Sequence, residues 1–413
     1  MTQEPVESDK ELTQAIKNEF IRQQNSLNLI ASENYASPSV VAAQANSLTN
    51  KYACGYPGQR HYSGCKYVDE IENLAINRAK ALFGAEHANV QPYSGSQSNF
   101  AVYFSLLKPG DTVLAMDRMQ GGHLTHGDNH NLSGRNFNFV FYGLDKKTEC
   151  IDYQNVETLA LKKRPKLIIA GSSSYSRIIN FKQFREIADK TGAYLMADIA
   201  HIAGIVAAGL HPNPTEHSDF VTMSTHKTLR GPRGGIVLCR HKYADSIDRA
   251  IFPGIQGGPL MHIIAAKAAC LKEALSPEFK QYQKQILSNA KTLANALLEY
   301  GFKLLSGGTD NHMMTVDFNG KGIKAKDAEK TLELIGITVS RCSLPFDAIP
   351  EAKNGIRIGT AAVTTRGMTE NDMNQIARII SLVAENFESN RDKAELMVKE
   401  LLNRHPLFPE YLP

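Results

Sequence analysis

The sequence predicts an α/β fold built on a largely parallel sheet, followed in the chain by a smaller α+β segment. Two observations carry this. Six short apolar runs have strand length: VLAM (113–116), FVFY (139–142), LIIA (167–170), YLMAD (194–198), FVTMS (220–224) and GIVLC (235–239). Helical stretches such as FKQFREIADKTG (181–192) lie between some of them. Apolar strands alternating with helices argue a sheet covered on both faces. Only a short Gly-rich loop separates GIVLC from FVTMS, so GIVLC also reads as an antiparallel hairpin partner.

The elements before the sheet are helical. Ser8 and Glu11 form an S-x-x-E capping box ahead of Leu12, Ile16 and Phe20, an amphipathic helix spacing. Ser37-Pro38 starts a second helix, with Ser as N-cap and Pro at the first helical position. A third runs over 68–83, with Ile71, Leu74, Ala75 and Leu82 on one face and Gly84 as its stop. Past the sheet the pattern turns helical over 260–300. It continues with a strand MMTVDF (313–318), a helix near 324–335, a strand GIRIG (355–359) and a last helix pair. This divides the chain into a helical arm (1–45), a large domain (46–285) and a small C-terminal domain (286–413), with a soft boundary near 280–300.

Composition excludes several classes of function. With 413 residues, 42% hydrophobic and 21% charged, the chain has a globular balance and enough length for a large core. A net charge of +4 is too small and too scattered to argue a nucleic-acid surface. The six cysteines, Cys54, Cys65, Cys150, Cys239, Cys270 and Cys342, show no C-x-x-C pair. They read as free thiols in a reducing compartment, not as a disulfide framework or a metal site. The first ten residues lack a signal-peptide pattern, and no stretch approaches the length of a membrane span. The chain reads as soluble and cytoplasmic, with no nucleic-acid or membrane partner.

Four short patterns could carry chemistry. Lys227 follows the strand FVTMS in Ser-Thr-His-Lys. A buried amine there would be a Schiff-base nucleophile; an ordinary solvated lysine fits the tetrapeptide equally well. Asp198 ends YLMAD, with His201 three residues on. A strand-end carboxylate could hold the protonated nitrogen of pyridoxal phosphate, or simply cap a helix. The turn Ser94-Gly95-Ser96-Gln97 before a helix could cradle a phosphate. His123 in GGHLTH could stack on a flat ring.

Their order in the chain resembles fold-type I pyridoxal-phosphate enzymes, and the surrounding wording narrows the resemblance. LIASENYASP (29–38), LTNKY (48–52), GYPGQR (55–60), NVQPYSGSQSNFAVY (89–103), GGHLTHG (121–127), ADIAHIAG (197–204), THKTLRGPRGG (225–235), QGGPLMH (256–262), SGGTDNH (306–312) and GIRIGT (355–360) are all similar to serine hydroxymethyltransferase. The similarity is collinear over nearly the whole chain.

The resemblance implies a large domain that binds pyridoxal phosphate, and these roles. Lys227 would hold the cofactor covalently. Asp198 would pair with its ring nitrogen and His123 would stack on its face. Gly95, Ser96 and His226 would bind the phosphate, with Gly257 and Gly258 of a neighbouring subunit completing the cup. Ser173 and His201 would reach the ring hydroxyl. Arg357 would clamp the substrate carboxylate, supported by Ser32. Tyr52 and Tyr62 would enter from the second subunit. Sites shared in this way imply a homodimer, with a tetramer open. The implied reaction cleaves Cα–Cβ of serine or a related β-hydroxy amino acid to glycine, with tetrahydrofolate taking the one-carbon unit.

The chain departs from the family's pattern at one end of that site. Cys54 stands where the family keeps an acid–base glutamate, ahead of GYPG. A carboxylate is charged at neutral pH, whereas a thiol is shorter and largely neutral. His61-Tyr62 replaces a pair of tyrosines, and Ser340-Arg341-Cys342 replaces an Asn-Lys-Asn run. All three changes fall among groups that read folate in the family. Two enzymatic readings stay open: folate activity retained through drift, and a folate-independent aldolase or transaldolase. A non-catalytic paralogue that binds the cofactor is a third.

Overall fold

The computed structural model describes residues 9–347, 349 and 352–408. The chain divides into two units, one of residues 34–284 with 344–350, the other of residues 1–33, 285–343 and 351–413. The described residues 9–33, drawn above as part of an arm, thus cluster with the C-terminal segments.

The first unit is built on a seven-stranded sheet. Its strands are β1 (His87–Asn89), β2 (Thr112–Met116), β3 (Asn138–Tyr142), β4 (Leu167–Gly171), β5 (Tyr194–Asp198), β6 (Phe220–Ser224) and β7 (Gly235–Cys239). They lie in the order β1-β7-β6-β5-β4-β2-β3. Strands β2 to β6 run parallel, and β7 is antiparallel to both β6 and β1. The hairpin reading of GIVLC therefore holds: Gly235 pairs with Ser224 and Cys239 with Phe220. Strands β4, β6 and β7 are buried at every residue, as continuous apolar runs should be when helices cover both faces. Ala101, Val102 and Tyr103 of the helix Gly95–Leu106 pack on Val113, Ile169 and Val237 of that sheet.

Three helix expectations need correction. Ser8 lies outside the described residues. The helix Lys10–Gln24 is capped instead by Asp9, whose carboxylate accepts the Leu12 N–H at 3.0 Å. That helix buries none of its residues, and Leu12 and Ile16 remain 52% and 43% exposed. The helix Lys66–Phe83 buries Val68, Glu72, Ala75, Ala79 and Phe83, while Leu74 is exposed. The buried face rotates because Glu72 points inward to a buried ion pair with Arg60 at 2.5 Å. The other caps stand: Ser37 accepts from Val40 N–H, and Gly84 ends its helix in the left-handed conformation.

The second unit holds a four-stranded antiparallel sheet of β8 (Lys303–Leu304), β9 (Met313–Asp317), β10 (Ser340–Cys342) and β11 (Gly355–Gly359), in the order β8-β9-β11-β10. The last helix, Glu370–Arg404, opens with a Thr369–Asp372 capping box. It breaks at Asn386, which has extended backbone angles and accepts the Ser389 N–H at 3.2 Å. Arg366 ties the unit's helix ends together. Its guanidinium donates to the carbonyls of His405 (2.8 Å), Gln23 (3.0 Å), Gln24 (3.1 Å) and Ser26 (3.2 Å). Three of these lie at or just past the carbonyl end of the helix Lys10–Gln24, where a cation also complements the helix dipole.

Arg366→Met should therefore lower the unfolding free energy by about 3 kcal/mol, since it strips a buried charged donor from several carbonyls at once. Urea denaturation of this variant against the parent checks it; a loss below about 1 kcal/mol would refute the role.

Candidate active site

The carboxyl ends of the parallel strands gather the first group of site residues. Asp198 ends β5, Ser173 lies two residues past β4, and Lys227 three residues past β6. Such strand ends are where open α/β sheets bind ligands. The pairing of Gly171 with Asp198, and of Asp198 with Thr222, sets the lateral register.

Asp198 is buried and accepts hydrogen bonds on both carboxylate oxygens. Its Oδ2 accepts from Asn99 Nδ2 and faces His126 Nε2, each at 2.9 Å; its Oδ1 accepts from Ala200 N–H at 3.0 Å. The His123 N–H points at His126 Nδ1 (3.4 Å), so the hydrogen on His126 sits on Nε2 and faces Asp198. Burial alone would drive the Asp198 carboxyl up. The His126 hydrogen bond, the electrostatic pull of His126 and His123 and the Asn99 amide outweigh it and hold the group well below the usual carboxylate range. A permanently ionised carboxylate, with acceptor capacity left on Oδ1, is what a pyridinium nitrogen requires.

A second ring of contacts fixes those partners. Asn99 Oδ1 accepts from the Thr222 hydroxyl at 2.6 Å, and Asn99 Nδ2 also donates to Thr125 Oγ1 at 2.8 Å. Thr125 sets its hydroxyl 2.7 Å and its backbone N–H 3.2 Å from His123 Nδ1, which makes that nitrogen an acceptor. The Ser173 N–H donates to Gly121 O at 2.7 Å, bringing the loop after β4 against the loop that carries His123. His126, Asn99 and Thr125 were not among the residues expected from sequence. Only His126 left a trace there, three residues after His123 in GGHLTHG.

The phosphate turn is built from backbone. Ser94 caps the helix Gly95–Leu106, its hydroxyl accepting the Gln97 N–H at 3.2 Å. A Cβ on Gly95 would stand 3.3 Å from Ser224 Cβ, so glycine lets this helix start close against the end of β6. Ser96 sits in the first turn beside it, where backbone N–H groups and the helix dipole favour an anion. Past β6, Thr225 N–H donates to Gly234 O (3.0 Å) and Gly231 N–H to Thr225 O (2.7 Å). Arg230 N–H and Asn34 Nδ2 both donate to the Lys227 carbonyl. The Thr228 hydroxyl donates to the carbonyl of His201 at 2.9 Å, linking that residue's segment to the Lys227 loop. Lys227 is only 9% exposed, so the solvated-surface reading of this lysine falls. His226 keeps a buried Nδ1 with no hydrogen-bond partner. Burial, helped by the charges of Arg233 and Lys227, pushes its pKa down to about 3. An orphaned imidazole nitrogen, an anion-ready turn, a buried lysine and an ionised strand-end carboxylate together fit pyridoxal phosphate.

The other expected residues gather elsewhere. Tyr52 and Tyr62 meet edge to face at 5.2 Å, 58% and 49% exposed. A Cβ on Gly258 would stand 3.1 Å from the Tyr52 ring, and one on Gly257 3.7 Å from its hydroxyl. The Tyr93 hydroxyl donates to Gly258 O at 2.7 Å. Burial raises the Tyr93 pKa, and Tyr52 and Cys54 add to the rise. Cys54 is buried beside this cluster, its flanking carbonyls of Ala53 and Gly55 held by Arg60 Nη1 at 2.8 and 2.7 Å. His61 packs edge-on against Phe252 at 5.2 Å. The four residues expected to be lent to a second subunit thus form one patch.

Ser32 and Arg357 belong to the other unit. Arg357 lies on β11, paired with Thr315 and Ser340. Gly359 N–H donates to Leu29 O at 2.8 Å, which lays the segment leading to Ser32 against the end of that strand. Burial pushes the Cys342 thiol up to about 11, so it is neutral and offers only a weak hydrogen bond, here toward Thr315 Oγ1 at 4.0 Å.

The depressed His226 fixes a pH dependence. The unfolded imidazole takes a proton near pH 6.5 and the folded one only near 3, so its contribution to stability is present above about 6.5 and lost as pH falls below it. The apoprotein's urea midpoint should fall from pH 6.5 toward 4, and His226→Gln should flatten part of that slope; an unchanged slope would refute it. Comparison with known families agrees with this geometry: the family model described as serine hydroxymethyltransferase matches residues 6–380. That family consists of fold-type I pyridoxal-phosphate enzymes, and this chain belongs to it.

Proposed function

We propose that the protein cleaves the Cα–Cβ bond of serine or a related β-hydroxy amino acid, yielding glycine and a one-carbon unit, with tetrahydrofolate as acceptor. The observation that carries this is an ionised, buried Asp198 and a buried Lys227 at the carboxyl ends of neighbouring strands, in a chain of this family. Bound there, pyridoxal phosphate supplies an electron sink for a bond broken at the substrate α-carbon.

The protein's own groups do the rest. Lys227 offers the amine to which the cofactor attaches. Asp198 keeps a proton on the ring nitrogen by its charge. His123, oriented by Thr125, covers the ring face. Gly95, Ser96 and His226 take the phosphate; His226, neutral at physiological pH, can offer a hydrogen bond without adding charge. Ser173 and His201 serve the ring hydroxyl. Arg357 binds the substrate carboxylate with its two-pronged donor set, supported by Ser32. The exposed patch of Tyr52, Tyr62, Gly257 and Gly258 supports a homodimer in which each copy completes the other's site, in the cytoplasm.

A second reading has specific support. At Cys54 a thiol replaces a strong hydrogen-bond acceptor, and Cys342 is a neutral thiol in the run expected to read folate. A site that loses such partners discriminates strongly against the ligand they served. This favours a folate-independent aldolase acting on threonine-like or α-substituted substrates.

One experiment separates the readings. The purified holoprotein is given serine or threonine with and without tetrahydrofolate, and glycine is followed. Serine turnover accelerated about 100-fold or more by folate supports the transferase and refutes the aldolase. Threonine cleavage together with serine turnover unmoved by folate does the reverse. In that second case, Cys54→Glu should restore a folate response to serine turnover. Absence of α-proton exchange from glycine would refute both and leave a retired paralogue.

A further inference from the structure

Lys267 lies in the core, and among the described residues no carboxylate forms an ion pair with it; burial pushes its pKa down to about 7, against the pull of the Glu72 charge. It sits mid-way along the helix Met261–Ala274 and is 1% exposed. Its Nζ donates to three main-chain carbonyls: Val90 at 2.6 Å, Pro92 at 2.9 Å and Gly235 at 2.9 Å. Three donors meet three acceptors, so the head group is saturated. Burying a charge on such partners is costly, and the cost calls for a return beyond filling space.

The three carbonyls say what is held. Val90 and Pro92 lead into Ser94, the cap of the phosphate turn. Gly235 begins β7 and pairs with Ser224, the residue that Gly95 abuts. Gly235 N–H donates to Pro92 O at 3.0 Å, so Lys267 closes a bridge between the two backbones that flank the turn. One residue back, Gly234 O receives Thr225 N–H, two residues before Lys227. Gln256 completes the frame: its amide donates to Gln91 O at 3.0 Å and accepts Tyr93 N–H at 3.1 Å. The path of the lysine is also cleared, since a Cβ on Gly234 would stand 2.4 Å from Lys267 Cε.

We infer that Lys267 is a positioning residue for the cofactor phosphate, fixing the spacing between the Ser94–Ser96 turn and the Thr225–Lys227 loop through the main chain. The inference rests on the reading that this turn holds the phosphate of pyridoxal phosphate. It does not require Lys267 to touch the cofactor.

The test is Lys267→Met, which keeps the stem and removes the ammonium. Pyridoxal phosphate is titrated into apoprotein to obtain its Kd, the bound phosphate is observed by phosphorus NMR, and thermal midpoints are taken with and without cofactor. Loss of the bridge should weaken binding about tenfold or more and shift the phosphorus resonance. The holoprotein midpoint should also fall further than that of the apoprotein. A Kd within about twofold of the parent, with both midpoints lowered equally, would show a purely structural lysine and overturn the inference. Should that variant not fold, Gly234→Ala decides, because it keeps the ammonium but crowds its stem: weaker binding supports the inference, and unchanged binding by folded protein overturns it. Parent apoprotein that fails to bind pyridoxal phosphate would instead overturn the cofactor reading itself, and the inference with it.

Discussion

A buried anion that must stay an anion organises the centre of this molecule. Asp198 lies where burial would neutralise a lone carboxylate. Keeping it charged takes donors from three places: the loop that carries His126, the helix that carries Asn99, and the turn at Ala200 that follows β5. Two of the three donors are themselves held, Asn99 by Thr222 and His126 by the backbone of His123. The shape of the cofactor pocket is therefore a by-product of satisfying one carboxylate. Loop, helix and strand cannot move independently without leaving a charge or an amide unpaired, and that penalty is steep in a dry interior.

The phosphate end follows a different logic. There the contacts are main chain to main chain, with glycines at 95, 234 and 235 allowing close approach and a lysine ammonium bridging carbonyls. At the ring end side chains bond one another, whereas at the phosphate end a few side chains, Lys267 and Gln256 among them, fix the path of the backbone.

How far this could be read from sequence depends on what kind of signal each residue leaves. The sheet was legible almost residue by residue, because strands covered on both faces are unbroken apolar runs such as LIIA and GIVLC. Asp198 and Lys227 drew notice by standing at and just past such runs, but position alone left a helix cap and a solvated lysine open, and only the resemblance implied their roles. The inward face of the helix Lys66–Phe83 was not, because a charged residue in a helix reads as solvent-facing until its partner is known; Glu72 is buried only because Arg60 meets it from another segment. Lys267 was hidden for the same reason. Asn99 and Thr125 look like ordinary polar residues, and their roles exist only once residues 26 and 99 positions apart in sequence are brought into contact. The exposed stripe of Leu12 and Ile16 shows the converse limit, since helical periodicity marks a face without saying what covers it.

The segments that the sequence singled out beyond the cofactor end are built on short strands. Cys54 and His61 flank a hairpin of two-residue strands, and Ser340 to Cys342 form a three-residue strand paired, among the described residues, with β11. The hairpin is tied to the frame of the lysine bridge, since Gln91, between Val90 and Pro92, donates from Nε2 to Gly55 O at 3.0 Å. Arg60 fixes the backbone on either side of Cys54, through the Ala53 and Gly55 carbonyls, and is itself held by the buried Glu72. Position 54 is thus mounted on a backbone whose path does not depend on its side chain, so a thiol and a carboxylate there would start from the same anchor.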